Sequence, residues 1–257
     1  MKHLVHKVLT VIFLIAITGS LLSGCASMPA SLSPQSSAAA RIASLGWVMI
    51  VLGAVIWVGY VFLLLIGLFR SRRTPGIYAH LPDEHHTRAV NLWVVGGGII
   101  MPTLVLIGLI TLTVGTLRSI PEAETPTEVV IEVIGHQWWW EVHYPDRNIT
   151  LTDEIRIPAG QPVQVRLSSS DVIHSFWAPE LHGKFDLVPG RTHVFILQAD
   201  QPGKYLGRCA EFCGRGHARM TFIVVAMPPE EFTAWLDAQA RFIIEPDGTA
   251  QRNKWIR

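Results

Sequence analysis

The stretch Cys209-Ala210-Glu211-Phe212-Cys213-Gly214-Arg215-Gly216-His217-Ala218-Arg219-Met220 gathers two thiols, an imidazole and a thioether within twelve residues. Thiolate and thioether are soft donors, and with imidazole they suit copper better than magnesium or calcium. Structural zinc sites usually take one pair of cysteines and a second pair farther on, and no second pair follows here. Gly214 and Gly216 allow a tight return, so Cys209 and Cys213 can face one side of a loop. His217 comes next, and Met220 can follow as a weak axial ligand. The stretch lacks a second imidazole; the candidate lies upstream, His174 in Asp171-Val172-Ile173-His174-Ser175-Phe176-Trp177. Each residue alone has a plainer reading. The thiols suit a disulfide in an exported domain, His217 a surface position, and Met220 core packing.

Taken together, these two stretches resemble subunit II of the haem–copper cytochrome c oxidases, the subunit with the dinuclear copper centre called CuA. The resemblance runs from about Ser44 to Trp235. It implies that His174, Cys209, Cys213, His217 and Met220 bind two copper ions through side chains. It implies that Glu211 binds through its backbone carbonyl, leaving its carboxylate to face a magnesium ion at the boundary with subunit I. The implied partners are subunit I, other oxidase subunits and cytochrome c as electron donor. Two bridging thiolates let two coppers share one electron, and a site with all ligand positions filled leaves no place for a substrate. Quinol oxidase subunits of the same fold resemble this chain but lack the copper ligands, which disfavours them.

Charge divides the 257-residue chain. Residues 1–120 carry net +6 and residues 121–257 net −5, with histidine neutral. Nucleic-acid binding would want the back half basic, and it is not. Residues 1–24 read as an export signal of lipoprotein type: Lys2 and Lys7, an apolar run, then Leu22-Ser23-Gly24 before Cys25. Cys25 is then the lipidated residue; the alternative is an ordinary cleaved signal. Residues 25–41, rich in Ser, Ala and Pro, read as an exported linker.

Residues 42–69 hold no charge and exceed the length needed to cross a bilayer. Arg70, Arg72 and Arg73 put the following end in the cytoplasm. Residues 70–91 form a polar loop, and residues 92–117 make a second apolar span whose Gly96-Gly97-Gly98 and Pro102 are tolerated in lipid. The implied place is the bacterial inner membrane, with residues 121–240 on the periplasmic side. Those residues alternate in short β-branched runs broken by Gly, Pro and Asp, the pattern of a Greek-key sandwich or barrel. The resemblance narrows this all-β domain to a cupredoxin-like barrel. A short helix from Pro228 to Ala240 follows, then a polar tail, residues 241–257.

His136-Gln137-Trp138-Trp139-Trp140 is the second singular stretch. Strand alternation puts Trp138 and Trp140 on one face and Trp139 on the other. The resemblance points to Trp138 as the residue through which electrons arrive, with Glu141, Asp146 and Asp171 as candidates for steering a basic donor. Lys184, Asp186 and Arg191 correspond to a family stretch that faces subunit I. One departure is Val90, three residues before Trp93, where family members commonly carry a Glu at the mouth of a proton path. Two other readings stand beside the oxidase: a nitric oxide reductase with a similar copper subunit, and a membrane-tethered copper carrier.

Overall fold

The computed structural model describes residues 31–73, 91–120 and 127–244. The export signal, Cys25, Val90 and the tail beyond residue 244 lie outside these described residues. The first helix, α1, runs Ser37–Arg73. At 1.5 Å per residue it is about 55 Å long, well beyond a hydrocarbon core of about 30 Å. The second span opens with nine residues of π-helix, Leu92–Ile100, and continues as α2, Met101–Ser119. The Met101 N–H reaches five residues back to the Gly96 carbonyl across the glycine triplet. Inside this apolar span Thr103 and Thr111 donate their hydroxyls to the carbonyls of Ile99 and Ile107, which satisfies them without water. Both helices are long and apolar enough to cross a membrane, and their large side chains are exposed.

The helix starts five residues earlier than the sequence suggests, and the reason is a docking contact. Ser36 caps α1 by accepting a hydrogen bond from the Ala39 N–H at 3.0 Å, and its own hydroxyl donates to the Leu181 carbonyl. Gln35 donates to the Glu180 carbonyl at 2.7 Å and accepts from the Asp200 N–H at 2.9 Å. Ser36, Ala38, Ala39 and Ala43 are buried. The end of the stretch read as a linker is thus a mooring that ties the first span to the β domain.

Among the described residues, ten strands form two five-stranded sheets. The first has β1 (Val129–His136), β2 (Trp139–Tyr144), β3 (Ile149–Thr152), β5 (Val163–Ser169) and β8 (His193–Leu197), in the order β3-β2-β1-β5-β8. The second has β4 (Glu154–Pro158), β6 (His174–Trp177), β7 (Phe185–Leu187), β9 (Gly203–Cys209) and β10 (Thr221–Met227), in the order β4-β10-β9-β6-β7. Alternation does the folding: Tyr205 and Cys209 on β9, and Phe222, Val224 and Ala226 on β10, turn inward while their neighbours turn out. Between the sheets Phe176 stacks on Phe222 at 4.3 Å, and Trp140 meets Phe222 edge-on at 5.3 Å. A two-helix hairpin, a cupredoxin-like Greek-key β domain and a C-terminal helix, α3 (Pro229–Ile244), make up the fold, as expected.

Helix α3 closes the end of the sandwich away from the cysteines. Trp235 packs edge-on against Tyr144 at 5.3 Å and under the Arg156 guanidinium at 5.0 Å. The Tyr144 hydroxyl donates to the Arg156 carbonyl and accepts from its N–H; burial pushes this phenol well above its usual range.

If the mooring holds the β domain, Ser36→Ala removes both a cap and a bond to the domain. Loss of such a cap costs about 1–2 kcal/mol, and each kcal/mol lowers the midpoint of a domain this size by about 2–4 °C. Thermal unfolding of the full chain in detergent measures this, and an unmoved midpoint contradicts it.

Candidate metal centre

Strand ends build the site. Phe176 on β6 lies opposite Cys209 on β9, and the Ala210 N–H donates to the Ser175 carbonyl at 2.9 Å. The Cys209 N–H donates to the Met220 carbonyl at 2.9 Å, closing residues 210–219 into a loop between β9 and β10. Inward alternation then carries Cys209 and Met220 to the interior, each two residues from an inward neighbour, Gly207 and Phe222. His174 begins β6 with no exposed surface at all.

The donor atoms form a chain. His174 Nδ1 lies 3.9 Å from Cys209 Sγ, and the two Sγ atoms are 3.8 Å apart. Cys213 Sγ lies 3.7 Å from His217 Nδ1 and 3.7 Å from Met220 Sδ. The Cys209 thiol donates to the Glu211 carbonyl at 3.2 Å. Both cysteines are free and buried, with no disulfide between them. His174, Cys209 and Cys213 present ligand atoms within 4.8 Å of one another. Ligands about 2.3 Å from a shared ion lie roughly 3.7 Å apart in a tetrahedral shell, so these separations fit metal binding with little movement.

Electrostatics agree with the geometry. Burial pushes the Cys213 thiol up to about 12, and the neighbouring Cys209 sulfur adds to the rise. Two buried thiolates therefore need a cation beside them. A soft set of two sulfurs, two imidazoles, a thioether and a carbonyl fits copper.

The supporting residues come from the first sheet and from the connection between β5 and β6. Asp171 Oδ1 lies 2.8 Å from His174 Nε2, and its carboxylate accepts from the N–H groups of Val172 and Gln137. Burial works against this charge, but the hydrogen bonds from His174, Val172 and Gln137 outweigh it and hold the carboxyl below its ordinary range. Asp171, read from sequence as a docking acid, is thus bound to the site itself. A methyl group on Gly135 would sit 2.9 Å from His174 Cδ2, so only glycine lets the imidazole lie on β1.

Trp138 does not follow the strand alternation. It occupies a turn with Gln137 between β1 and β2, which breaks the period, so Trp138 is 40% exposed while Trp140 is fully buried. Its indole N–H donates to the Cys213 carbonyl at 3.3 Å, and its ring lies flush on Gly216, where a Cβ would come within 2.4 Å. Trp139 stacks on His136 at 4.2 Å, and His136 Nε2 lies 2.9 Å from Glu141 Oε2. Glu141 is therefore near the Trp138 turn but engaged. Asp146 is at the opposite end of β2, in the turn Pro145–Arg147 whose Arg147 pairs with Asp237 of α3 at 3.0 Å. The structure does not bring it to Trp138.

Glu211 is exposed, its carbonyl turned to Cys209 and its side chain to the outside of the loop, beside Phe212, which is 77% exposed. Lys184 and Asp186 form an ion pair at 3.1 Å and, with Arg191, line a cleft of about 420 Å³ with Phe185, Val188, Thr192 and His193. Sequence reasoning missed Gln137 and Gly135 as parts of the site, and it read Gly216 for the turn of the loop but not as the seat of the Trp138 ring. Gln137 and Gly216 stand inside stretches it quoted, but their contacts are all made across the fold.

A family model described as "Cytochrome C oxidase subunit II, periplasmic domain" matches residues 147–227. "Cytochrome c oxidase subunit 2" of Alkalihalophilus pseudofirmus is 36% identical over 183 residues, 71% of this chain and 54% of the relative, so the chain spans about half of that protein's length. "Quinol oxidase subunit 2" of Bacillus cereus is 32% identical, covering 84% of this chain and 74% of the relative. "Cytochrome c oxidase subunit 2" of Branchiostoma floridae is 30% identical, covering 63% of this chain and 76% of the relative. The solved periplasmic domain of subunit II of cytochrome oxidase of Bradyrhizobium japonicum is 26% identical with a TM-score of 0.44, covering 48% of this chain and 98% of that one. With these relatives and the convergent donor set, the chain belongs to the subunit II family of haem–copper terminal oxidases.

Proposed function

We propose that this chain is the copper-bearing subunit of a cytochrome c oxidase, taking electrons from cytochrome c outside the membrane and relaying them to haem in subunit I, where oxygen is reduced. One observation carries the reading: two imidazoles, a thioether and a backbone carbonyl converge on two buried cysteine sulfurs that are not bonded to each other. A copper pair, when bound, supplies one-electron uptake and release at little structural cost.

The chain's residues supply the rest. His174 and the Glu211 carbonyl adjoin the Cys209 sulfur, while His217 and Met220 adjoin the Cys213 sulfur. That two-ended layout, with sulfurs in the middle, supports two metal positions sharing thiolates over one closed tetrahedral position. His174, Cys209, Cys213 and Met220 are buried, which excludes water from the centre. Asp171 fixes the His174 ring through Nε2 and leaves Nδ1 for the metal. Trp138 joins the exposed surface to the Cys213 carbonyl by a single hydrogen bond, which supports its role in receiving electrons. Of the three acids proposed to steer the donor, Glu141 and Asp171 lie by the Trp138 turn and Asp146 at the other end of β2. We assign the carboxylate of Glu211 to a magnesium ion and the Lys184–Arg191 cleft to subunit I. Cys25 is the lipidated residue of an exported chain, and the arginines at the end of α1 keep that end in the cytoplasm.

Similarity to quinol oxidase subunits of comparable strength gives a second reading, a subunit that takes electrons from a quinol. The complete donor set favours copper and cytochrome c. Turnover of the purified complex with reduced cytochrome c against quinol, and with oxygen against nitric oxide, decides donor and acceptor. Two coppers per chain that resist a chelator separate a resident centre from a carrier.

Four substitutions test the site. Cys213→Ser should abolish the paramagnetic signature of a mixed-valent copper pair; a normal spectrum contradicts the ligand assignment. Met220→Leu should keep copper but change its potential. Gly135→Ala should push the His174 ring from β1 and weaken copper uptake by about 10–100-fold, the cost typical of disturbing groups that orient a ligand; unaltered uptake in a copper titration rules this out. Trp138→Ala should slow reduction by cytochrome c in a single turnover with copper content intact.

A further inference from the structure

We infer that Gln137 is a positioning residue for the metal centre, a clasp that fixes the two ligand-bearing segments relative to each other. The inference rests on the copper reading of the site.

The ligands come from two separate places, His174 at the start of β6 and the loop from Cys209 to Met220. Gln137 belongs to neither, yet it bonds to both. Its main-chain N–H donates to Asp171 Oδ2 at 2.7 Å, while Asp171 Oδ1 meets His174 Nε2 at 2.8 Å. Its side-chain amide donates to the Cys213 carbonyl at 2.7 Å. One residue of the β1–β2 turn therefore reaches an imidazole through a carboxylate and a thiol-bearing residue through its peptide.

The two bonds differ in what they require. Any residue but proline supplies the N–H to Asp171. Only a side chain of this length with a donor at its end reaches the Cys213 carbonyl. The Trp138 indole gives the same carbonyl a longer bond of 3.3 Å, and Gly214, with φ of 122°, leaves room for both groups, where a Cβ would stand 3.2 Å from each nitrogen. Two donors on one carbonyl fix the Cys213 peptide plane, and with it the direction in which Cys213 presents its sulfur. Loss of groups that orient ligands in this way commonly leaves a tenth or less of the metal affinity.

The test uses the full chain in detergent, with Gln137→Ala, Gln137→Asn, which is too short to reach, and Gln137→Glu, which keeps the shape but replaces the amide. All three should lose copper to a chelator about tenfold faster than the unsubstituted chain, with altered hyperfine splitting. In the metal-free chain, alkylation of Cys213 by iodoacetamide should rise about fivefold, as expected for one lost hydrogen bond that opposes opening. If Gln137→Ala does not fold, Gln137→Glu decides. Chelator rates, spectra and alkylation equal to those of the unsubstituted chain overturn the clasp. An unsubstituted chain that takes up no copper overturns the copper reading, and the alkylation rate then still decides the clasp by itself.

Discussion

Two sulfur atoms buried 3.8 Å apart, with no bond between them, are the constraint on which the rest of this domain depends. Thiolates removed from water are costly unless a positive charge lies beside them. The fold creates this situation through strand register. Arg208 pairs with Thr221, and the next step along both strands brings Cys209 against Met220. A slip of one residue would turn Cys209, Met220 and the whole inward row of β9 and β10 to the outside. The core aromatics resist such a slip, because Phe222 stacks on Phe176, and Phe176 is itself the partner of Cys209 across β6 and β9. Packing in the middle of the sandwich therefore sets the ligand positions at its end.

The first long apolar helix and the β domain are joined by more than chain continuity. Ser36 and Gln35 bond to residues 180, 181 and 200, in the connections after β6 and after β8, so α1 begins on the domain itself. Gly183, where a Cβ would lie 3.4 Å from Ile42, brings the same connection against the helix. A helix of about 55 Å exceeds the hydrocarbon thickness by several turns. Its docked first turns account for part of that excess.

Much of this was legible beforehand, and the limits have physical causes. The two apolar spans stood out because composition alone marks them. The longer strands are visible from alternation, but Ile149–Thr152, His174–Trp177 and Phe185–Leu187 are not, being too short or, for His174–Trp177, almost wholly buried and without alternation. The ligand loop was readable because its donors are close in sequence. Trp138 was placed on the wrong face because a two-residue turn interrupts the period that the aromatic run suggests. Asp171 is exposed, as the sequence suggests, but its bonds to His174 and Gln137 are not readable there, since they depend on a contact between β1 and the start of β6 that no local pattern announces.

The division between the two sheets explains why the site is held so firmly. Every donor belongs to the second sheet or its loops, on β6, β9 and the β9–β10 connection. The first sheet contributes no donor, yet it backs the site: Gly135 under the His174 ring, the Gln137 amide and Trp138 indole on the Cys213 carbonyl, and Trp140 tilted 6.1 Å from His174. A site held by one sheet alone could shift as its loop breathes. Here the loop and β6 are both fastened to the β1–β2 turn of the opposing sheet, so displacing the ligands means separating the layers of the core. For electron relay this is the useful property, because donors that keep their places in both charge states leave little structural rearrangement to slow the transfer.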